Sequence, residues 1–274
     1  MKILVTGGSG LVGKAIKQAN TTVVTFGHTD MDIAKKDDVF RILNSIKPDC
    51  IVHCAALTDV DYCETHKEEA WKVNAEGTKN ISQACEDIGA KLIYLSTDFV
   101  FDGKKGMYME EDKPNPISIY AQAKLAGEDF TKNVDQHVII RSSVVYGSSS
   151  KKFVWWVLNE LSNNRKIKVV EDEYNSPTYV TDLARAILTI TKADFAGIIH
   201  CAGSERISRY DFALKIAEIY GKDKNLIEKV NSEELKRTAK RPKDCSLNIS
   251  KAVKMGIKMS DVNTGLELMK IEVA

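Results

Sequence analysis

The sequence lacks long apolar runs and has almost no net charge. No segment approaches the roughly 18 consecutive apolar residues that a membrane-spanning helix requires. Lysine and arginine number 39, against 38 aspartates and glutamates, which gives a formal net charge of +1. A balance this close gives no electrostatic reason to expect a nucleic-acid surface or an acidic tail. We therefore expect neither a membrane nor a nucleic acid as a partner, and other partners have to be inferred from a local site.

Paired cysteines and clustered histidines are absent as well. The six cysteines include no CxxC pair, and the five histidines show no spacing typical of metal ligands. In a chain of 274 residues, scattered cysteines of this kind are typical of reduced, partly buried thiols. The first residues lead directly into glycines rather than into a signal-peptide cleavage region. These features predict a cytoplasmic protein without a metal site.

Short apolar segments alternate with amphipathic segments through the first two-thirds of the chain. The segments predicted as strands are 3–5, 23–26, 50–54, 92–96, 138–140 and 167–170. The segments predicted as helices are 11–18, 39–46, 70–88, 120–131, 154–161, 181–190 and 211–220. Strands joined in turn by helices predict βαβ units, and hence an α/β fold with a parallel sheet and right-handed crossovers.

Glycines are concentrated between the first predicted strand and the first predicted helix. Gly8, Gly10 and Gly13 satisfy GxGxxG, and Gly7 with Gly10 and Gly13 satisfies GxxGxxG. Without Cβ atoms the chain turns tightly, and a pyrophosphate can approach the N–H groups at the start of the helix. The position of this loop in a βαβ series predicts dinucleotide binding.

This loop makes the predicted fold a Rossmann doubly wound parallel sheet with a smaller, mostly helical C-terminal region. We assign residues 1–147 to a dinucleotide-binding Rossmann domain. Residues 148–274, where the pattern is less regular, form the predicted substrate-binding region, which is partly interleaved with the Rossmann sheet.

The end of the second predicted strand bears on the choice of cofactor. NAD-specific sites place an acidic residue there, whereas this chain reads Phe26-Gly27-His28. No carboxylate would repel a 2′-phosphate, and His28 could help to hold one, so NADPH is favoured and NADH remains open. Asp32, followed by Ile33, either reaches the adenine ring or caps a turn.

Tyr120 and Lys124 are four residues apart, which places both side chains on one face of a helix. An adjacent ammonium favours the phenolate and makes the tyrosine a usable proton donor to an alkoxide. Tyr220 and Lys224 share the spacing, but Gly221 interrupts them at a predicted helix end. The first pair is therefore the catalytic candidate.

Polar residues follow the strand at 92–96, at the sheet edge where open α/β folds bind ligands. Thr97 can donate a hydrogen bond to a substrate carbonyl oxygen as it becomes negative, and Asp98 follows it. Asn74 is a polar residue on an otherwise apolar helix face, which fits a hydrogen-bonded core amide as well as a catalytic role.

These motifs together resemble the extended short-chain dehydrogenase/reductase superfamily and, within it, the dTDP-4-dehydrorhamnose reductase family. The resemblance covers nearly the whole chain and is carried by residues 6–13, 54–61, 70–77, 96–103, 120–124 with 127–128, 141–147, 176–178 and 241–242 with Leu247.

The resemblance implies NADPH-dependent reduction of a 4-keto nucleotide-sugar, dTDP-4-dehydro-L-rhamnose to dTDP-L-rhamnose. It implies a catalytic triad of Thr97, Tyr120 and Lys124, with Thr97 and Asp98 also contacting the sugar. The implied cofactor contacts are Gly10, Leu11, Val12, Asp32, Ile33, Cys54, Ala55, Ala56, Tyr120 and Lys124.

The chain departs from the family pattern in three places. Val144 stands where bacterial members commonly have a tryptophan that would pack against the sugar. Lys14 stands where some members carry an acidic residue linked with magnesium, so we expect no metal requirement. Phe99 stands where related dehydratases have a glutamate, which removes an acid–base group from a water-elimination mechanism.

A basic cluster lies between residues 236 and 243, and it consists of Lys236, Arg237, Lys240, Arg241 and Lys243. It is either a solvated helix face or a phosphate site, in which Arg241 would pair with the diphosphate of a nucleotide-sugar. Aromatic residues do not interleave with it, which argues against nucleic-acid binding.

Two other functions stay open at this point. One is an epimerase or dehydratase that keeps NAD bound. The other is a non-catalytic NADP-binding subunit, because the regulatory β subunit of methionine adenosyltransferase looks like this same family. The oligomeric state is also open, a homodimer included.

Overall fold

Six parallel strands form the central sheet of the computed structural model, which describes residues 1–148 and 152–273. Positions 149–151 and 274, part of the predicted substrate-binding region, lie outside the described residues. The strands are β1 (Ile3–Thr6), β2 (Val24–Phe26), β3 (Cys50–His53), β4 (Lys91–Thr97), β5 (His137–Ser142), β6 (Val145–Tyr146), β7 (Ile167–Val170), β8 (Tyr174–Asn175), β9 (Thr178–Tyr179), β10 (Gly197–His200), β11 (Ile207–Ser208) and β12 (Ile227–Val230). The central sheet has the order β2-β1-β3-β4-β5-β10.

Helices connect these strands and cover both faces of the sheet. They are α1 (Leu11–Ala19), α2 (Lys36–Ile46), α3 (Val60–Thr65), α4 (Lys67–Trp71), α5 (Gly77–Ile88), α6 (Ile119–Thr131), α7 (Phe153–Ser162), α8 (Val180–Lys192), α9 (Arg209–Ile219), α10 (Ser250–Lys254) and α11 (Val262–Val273). The helix predicted over 70–88 is present and starts earlier, at Lys67; within it a π-helical turn, Lys72–Glu76, joins α4 to α5. None of the helices in the described part of the chain is long and apolar enough to cross a membrane.

The side chains of β1 alternate between two apolar layers, as expected for a strand covered on both faces. Ile3 and Val5 belong to the layer that contains α1 and α8, which pack against each other. Leu4 belongs to the opposite layer, formed with α2 and α5. Because the strands are buried on both faces, their sequences are continuous apolar segments. The predicted doubly wound α/β class is confirmed.

The strand order reverses beside β1. The chain passes from β1 to β2 on one side, whereas β3, β4, β5 and β10 follow on the other side. The connections leaving β1 and β3 therefore diverge and leave a crevice beyond the carboxyl ends of these strands. In open α/β sheets this is the place where ligands bind.

Residues beyond 152 contribute both to the central sheet with its helices and to a separate apolar cluster. Strand β10 pairs with β5 in the central sheet, and α8 packs on α1. In contrast, α7, α9 and α11 enclose an apolar cluster of their own, centred on the fully buried Phe212. Two-stranded pairs of β7 with β12 and of β8 with β11 border this second cluster.

Candidate active site

A cavity of about 730 Å³ opens beyond the carboxyl ends of β1 to β5. The predicted site residues that line it are Gly7, Gly10, Leu11, Val12, Gly13, His28, Ile33, Cys54, Ala55, Ala56, Thr97, Asp98, Tyr120, Lys124 and Val144. Asp32 and Arg241 are not among its lining residues. The fold therefore brings together residues that are far apart in the sequence, at the crevice that the strand order creates.

The glycine loop passes too close to neighbouring backbone to accept side chains. Gly7 has a φ of +71°, and a Cβ there would lie 2.7 Å from the backbone nitrogen of Ala55. A Cβ on Gly13 would lie 2.5 Å from the carbonyl oxygen of Gly7. The start of α1 has Gly10 as its N-cap, no side-chain cap and no acidic residue in the first turn. This combination fits the pyrophosphate of a dinucleotide, which needs close backbone approach and a helix N-terminus.

The acidic side chains that follow β2 are turned toward the backbone. Asp30 Oδ2 accepts a hydrogen bond from the Gly27 N–H at 2.7 Å, and Asp32 Oδ1 accepts one from the Ala34 N–H at 3.1 Å. This favours the turn-capping interpretation of Asp32, because the backbone amide occupies its carboxylate. His28 lines the cavity with a largely exposed ring, 82% accessible, and its Nδ1 lies 4.0 Å from Asp32 Oδ1.

Tyr120 and Lys124 are both buried on the face of α6 that closes the cavity. Helix α6 begins at Ile119, where the side chain of Ser118 caps the Ala121 N–H. Lys124 Nζ donates to the carbonyl oxygen of Leu95 at 2.7 Å and lies 4.1 Å from the ring centroid of Tyr94. Burial lowers the pKa of Lys124 to about 7.

The electrostatic expectation for Tyr120 needs a correction. The sequence suggested that Lys124 lowers the pKa of the phenol, but burial raises the pKa of Tyr120 well above its ordinary value. The nearby Thr97 hydroxyl opposes this increase, whereas the Asp98 charge adds to it. Desolvation therefore outweighs the expected effect of the lysine, and Tyr120 keeps its proton at neutral pH.

Asp98 is a buried carboxylate with three side-chain donors. It accepts hydrogen bonds from Thr97 Oγ1 at 3.0 Å, Ser143 Oγ at 2.6 Å and Asn175 Nδ2 at 3.2 Å. Burial raises its pKa to about 6, and these hydrogen bonds and the charge of Arg209 limit the increase. The Thr97 hydroxyl, expected to donate to the substrate, donates to Asp98 in this structure.

A second cavity of about 470 Å³ adjoins the first, and Phe99, Phe153 and Arg209 line both. Arg241 lines the second cavity, near Arg209 and beside Pro242. Arg209 was missed from the sequence, where its only signal is its place directly after the helix-capping Ser208. A single arginine at a helix start does not indicate a site without the fold.

The basic cluster is not a helix face. Residues 236–243 have no helical turn, and three of the five basic side chains pair with acidic residues of other segments. Arg241 Nη2 lies 2.7 Å from Asp61 Oδ2, Arg237 pairs with Glu173, and Lys243 pairs with Asp172. The solvated-helix interpretation is therefore wrong. These ion pairs hold the segment against the second cavity.

Asn74 is a buried core amide that also shapes the site. It lies in the π-helical turn, where its Oδ1 accepts from the Leu57 N–H at 2.8 Å and its Nδ2 donates to the Leu57 carbonyl at 2.9 Å. Leu57 lines the main cavity, so this amide fixes the loop that follows β3.

The six cysteines are all free. Within residues 1–148 and 152–273, no group of three or more histidine, cysteine, aspartate or glutamate side chains is arranged to hold a metal ion.

Comparison with known proteins identifies the family of the chain. The family model of the RmlD substrate binding domain matches residues 1–273. A dTDP-4-dehydrorhamnose reductase of Sinorhizobium fredii is 33% identical over 266 residues, which is 92% of this chain and 90% of that protein.

Two solved structures are similar over almost their full length. The dTDP-4-dehydrorhamnose reductase of Bacillus anthracis in complex with NADP is 33% identical, with a TM-score of 0.95 over 99% of this chain and 100% of that one. A dTDP-4-dehydrorhamnose reductase from Clostridium acetobutylicum is 34% identical, with a TM-score of 0.95 over 100% and 99% of the two chains. The cavity, the glycine loop and the full-length matches agree, and the chain belongs to the RmlD substrate-binding-domain family.

Proposed function

We propose that this chain is an NADPH-dependent reductase of a 4-keto nucleotide-sugar, which converts dTDP-4-dehydro-L-rhamnose to dTDP-L-rhamnose. One observation carries the proposal: a single cavity contains both the glycine loop and the side chains of Thr97, Tyr120 and Lys124. The similarity to dTDP-4-dehydrorhamnose reductases over about nine-tenths of the chain or more supports the same substrate class.

The cofactor side of the cavity fits NADPH. The first turn of α1 and the glycine loop receive the pyrophosphate, while Ile33, Cys54, Ala55 and Ala56 border the path toward the catalytic residues. Asp30 and Asp32 do not line the cavity, and both carboxylates accept hydrogen bonds from backbone N–H groups. The exposed ring of His28, whose Nδ1 lies 4.0 Å from Asp32 Oδ1, borders the space for a 2′-phosphate. Bound NADPH supplies the hydride for the reduction.

The proton in the reduction comes from the buried hydroxyl of Tyr120. Because its pKa is raised, Tyr120 holds a proton that it can give to the substrate oxygen as that oxygen becomes negative. Thr97 lines the same cavity. Lys124, at the cavity wall beside the Leu95 carbonyl, binds the ribose hydroxyls of the cofactor.

The substrate lies across the two adjoining cavities. Asp98 and Val144 border the sugar, and the diphosphate extends toward the second cavity, where Arg241 lies. In this arrangement residues 1–147 hold the cofactor and residues 148–274 hold most of the nucleotide-sugar. Phe99, which contacts the Tyr120 ring edge-on at 6.4 Å, offers no carboxylate for water elimination.

We also propose a cytoplasmic location, which the six free cysteines support. Light scattering on the purified chain measures its mass in solution and tests whether it forms a homodimer.

The test is cofactor oxidation by the purified chain with a panel of keto nucleotide-sugars, using NADPH and NADH in parallel. We expect turnover with dTDP-4-dehydrorhamnose and NADPH, and a loss of about 100-fold or more in kcat for Tyr120→Phe. Tyr220→Phe is the matched control, because Tyr220 has the same spacing to a lysine but lines neither cavity. Its hydroxyl has no hydrogen-bond partner among the described residues, so turnover should stay within about twofold of the original chain.

Three results would contradict the proposal. Unchanged turnover in Tyr120→Phe would remove the catalytic assignment. Tightly bound NAD without net consumption of reductant would indicate an epimerase or dehydratase. Co-purification with a larger enzyme, without activity on any keto-sugar, would indicate a regulatory subunit.

A further inference from the structure

Tyr94 contacts both ends of Lys124 from behind the cavity wall. Lys124 Nζ lies over the Tyr94 ring, 4.1 Å from its centroid, and the Tyr94 hydroxyl donates to the Lys124 backbone carbonyl at 3.3 Å. Both side chains are buried. Lys124 lines the cavity, whereas Tyr94 is not among its lining residues. A side chain behind the site therefore contacts the backbone and the ammonium of a residue within it.

The close approach of α6 to β4 makes this double contact possible. Tyr94 is the central residue of β4, and α6 packs on that strand. Helix α6 places Gly127 beside the phenol, where a Cβ would lie only 2.3 Å from Tyr94 Oη. A larger residue at position 127 would push the phenol or the helix aside. The glycine therefore lets the hydroxyl reach the Lys124 carbonyl.

The neighbour of the Tyr94 ring on β3 is a neutral histidine. The rings of His53 and Tyr94 are stacked with their centroids 5.5 Å apart. His53 Nδ1 lies 2.7 Å from Thr6 Oγ1, and its Nε2 lies 3.1 Å from Thr78 Oγ1. Burial lowers the pKa of His53 to about 3, so the ring is uncharged at neutral pH. It therefore does not compete with Lys124 as a cation.

Two contacts on the protein side fix the direction of the Lys124 ammonium. An ammonium has three N–H groups, and one of them donates to the Leu95 carbonyl at 2.7 Å. The face of the Tyr94 ring carries partial negative charge and attracts the same ammonium. These contacts leave the remaining donor capacity of Lys124 for the cavity that it lines.

Burial gives the contact with the ring its importance. Desolvation lowers the pKa of Lys124 to about 7, so a modest further decrease would leave the lysine neutral at neutral pH. A cation over an aromatic face gains most where both are removed from water. The ring of Tyr94 thus favours the charged form that desolvation penalises.

Other groups near Lys124 do not replace the ring. The titratable groups that face it are His53 from β3, Cys54 from the segment after β3, and Glu128 from α6. Burial raises the pKa of the Cys54 thiol to about 12, so it carries no charge at neutral pH. The Glu128 carboxylate is already paired with Arg141 at 2.7 Å.

We propose that Tyr94 is a positioning residue whose ring keeps the Lys124 ammonium charged and directed at the ribose of the cofactor. This inference rests on the proposed reductase function, in which Lys124 binds the ribose hydroxyls. The ring acts on the ammonium, whereas the hydroxyl holds the backbone carbonyl. Substitutions that change only one of these two groups separate their contributions.

The first experiment titrates the Lys124 side chain by NMR in the full chain without cofactor, with the signal assigned by its loss in Lys124→Met. Tyr94→Phe keeps the ring and should keep the midpoint of the original chain within about 0.3 pH units. A trifluorinated phenylalanine at position 94 keeps the shape but withdraws charge from the ring face. It should lower the midpoint by about one pH unit. Equal midpoints with phenylalanine and its fluorinated form would overturn the proposal.

The second experiment measures NADP⁺ binding by calorimetry at pH 5.5 and pH 8. Tyr94→Leu should weaken binding about tenfold at pH 8 but less than about twofold at pH 5.5, because a midpoint lowered by one unit removes the charge only at the higher pH. Tyr62→Leu is the control, because Tyr62 lines neither cavity, and it should leave binding unchanged at both values.

A merely structural role for Tyr94 predicts a different result. Loss of packing alone would weaken NADP⁺ binding equally at pH 5.5 and pH 8, and that outcome would overturn the proposal. An original chain that does not bind NADP⁺ would contradict the proposed function instead. The NMR titration needs neither cofactor nor substrate, so it would still decide whether the Tyr94 ring keeps Lys124 charged.

Discussion

The buried ion pair between Glu128 and Arg141 provides the sharpest test of how the site is supported. The two side chains are 0% and 1% exposed and form two bonds, Arg141 Nε to Glu128 Oε1 at 2.9 Å and Nη2 to Oε2 at 2.7 Å. Ser96 Oγ also donates to Glu128 Oε1 at 2.6 Å. Ser96 lines the cavity beside Thr97, so the pair lies directly behind the proposed catalytic residues.

Replacing Glu128 alone with methionine should lower the free energy of unfolding by about 3–5 kcal/mol, because it leaves the Arg141 guanidinium buried without a counter-charge. Replacing both residues with methionine removes the uncompensated charge. The double variant should therefore recover most of the loss, to within about 2 kcal/mol of the original chain. The strong non-additivity of the two substitutions is the specific prediction.

Urea unfolding of the two single variants and the double variant, followed by circular dichroism, measures these free energies. Asp129→Asn is the matched control on α6, because its ion pair with Lys132 is exposed, and it should cost no more than about 1 kcal/mol. The reasoning is refuted if Glu128→Met costs no more than this control, or if the double variant loses the sum of the single losses.

Two further predictions follow from close contacts and burial. Gly13→Ala should abolish NADPH binding in calorimetry, because its Cβ would lie 2.5 Å from the Gly7 carbonyl oxygen and 2.7 Å from Gly8 Cα; an unchanged Kd would contradict this. Burial lowers the pKa of His53 to about 3, so between pH 6.5 and 3 the unfolded chain takes up a proton that the folded chain does not, and stability falls as the pH falls. Urea unfolding measures the free energy of unfolding at each pH. Its decrease with falling pH should be steeper in the original chain than in His53→Asn by about 1.4 kcal/mol per pH unit. Equal pH dependences in the two proteins would count against this prediction.

The central sheet could be predicted because its strands and helices carry their own periodicity. Strand β7 begins and ends where predicted, and α6 differs from its prediction by one residue. Strand β10 was missed, because a four-residue segment has too little pattern of its own and is fixed by pairing with β5, far back in the sequence. Helix α3 was also missed, although Asp59 carries a capping signal by accepting from the Tyr62 N–H at 3.0 Å.

Local motifs suggest the residues of the proposed site, but they do not give the surroundings of those residues. Ser143 and Asn175 reach Asp98 across 45 and 77 positions of sequence, and no spacing rule relates them. Arg241 was singled out because it precedes a proline in a basic cluster. Its pairing with Asp61, 180 positions away, depends on how the loop after β3 meets the C-terminal segment.

The pKa values of Tyr120 and Lys124, the proposed catalytic groups, show why such contacts matter. Spacing on a helix puts Tyr120 and Lys124 on one face, and from that alone a lowered tyrosine pKa follows. In the folded chain the Lys124 ammonium is directed at the Leu95 carbonyl, and burial shifts the pKa of the lysine down and that of the tyrosine up. Each group is thus moved toward its neutral form, because desolvation penalises both charges. A neutral, protonated Tyr120 is the form that a reductase needs, and in this structure burial rather than the helix spacing stabilises it.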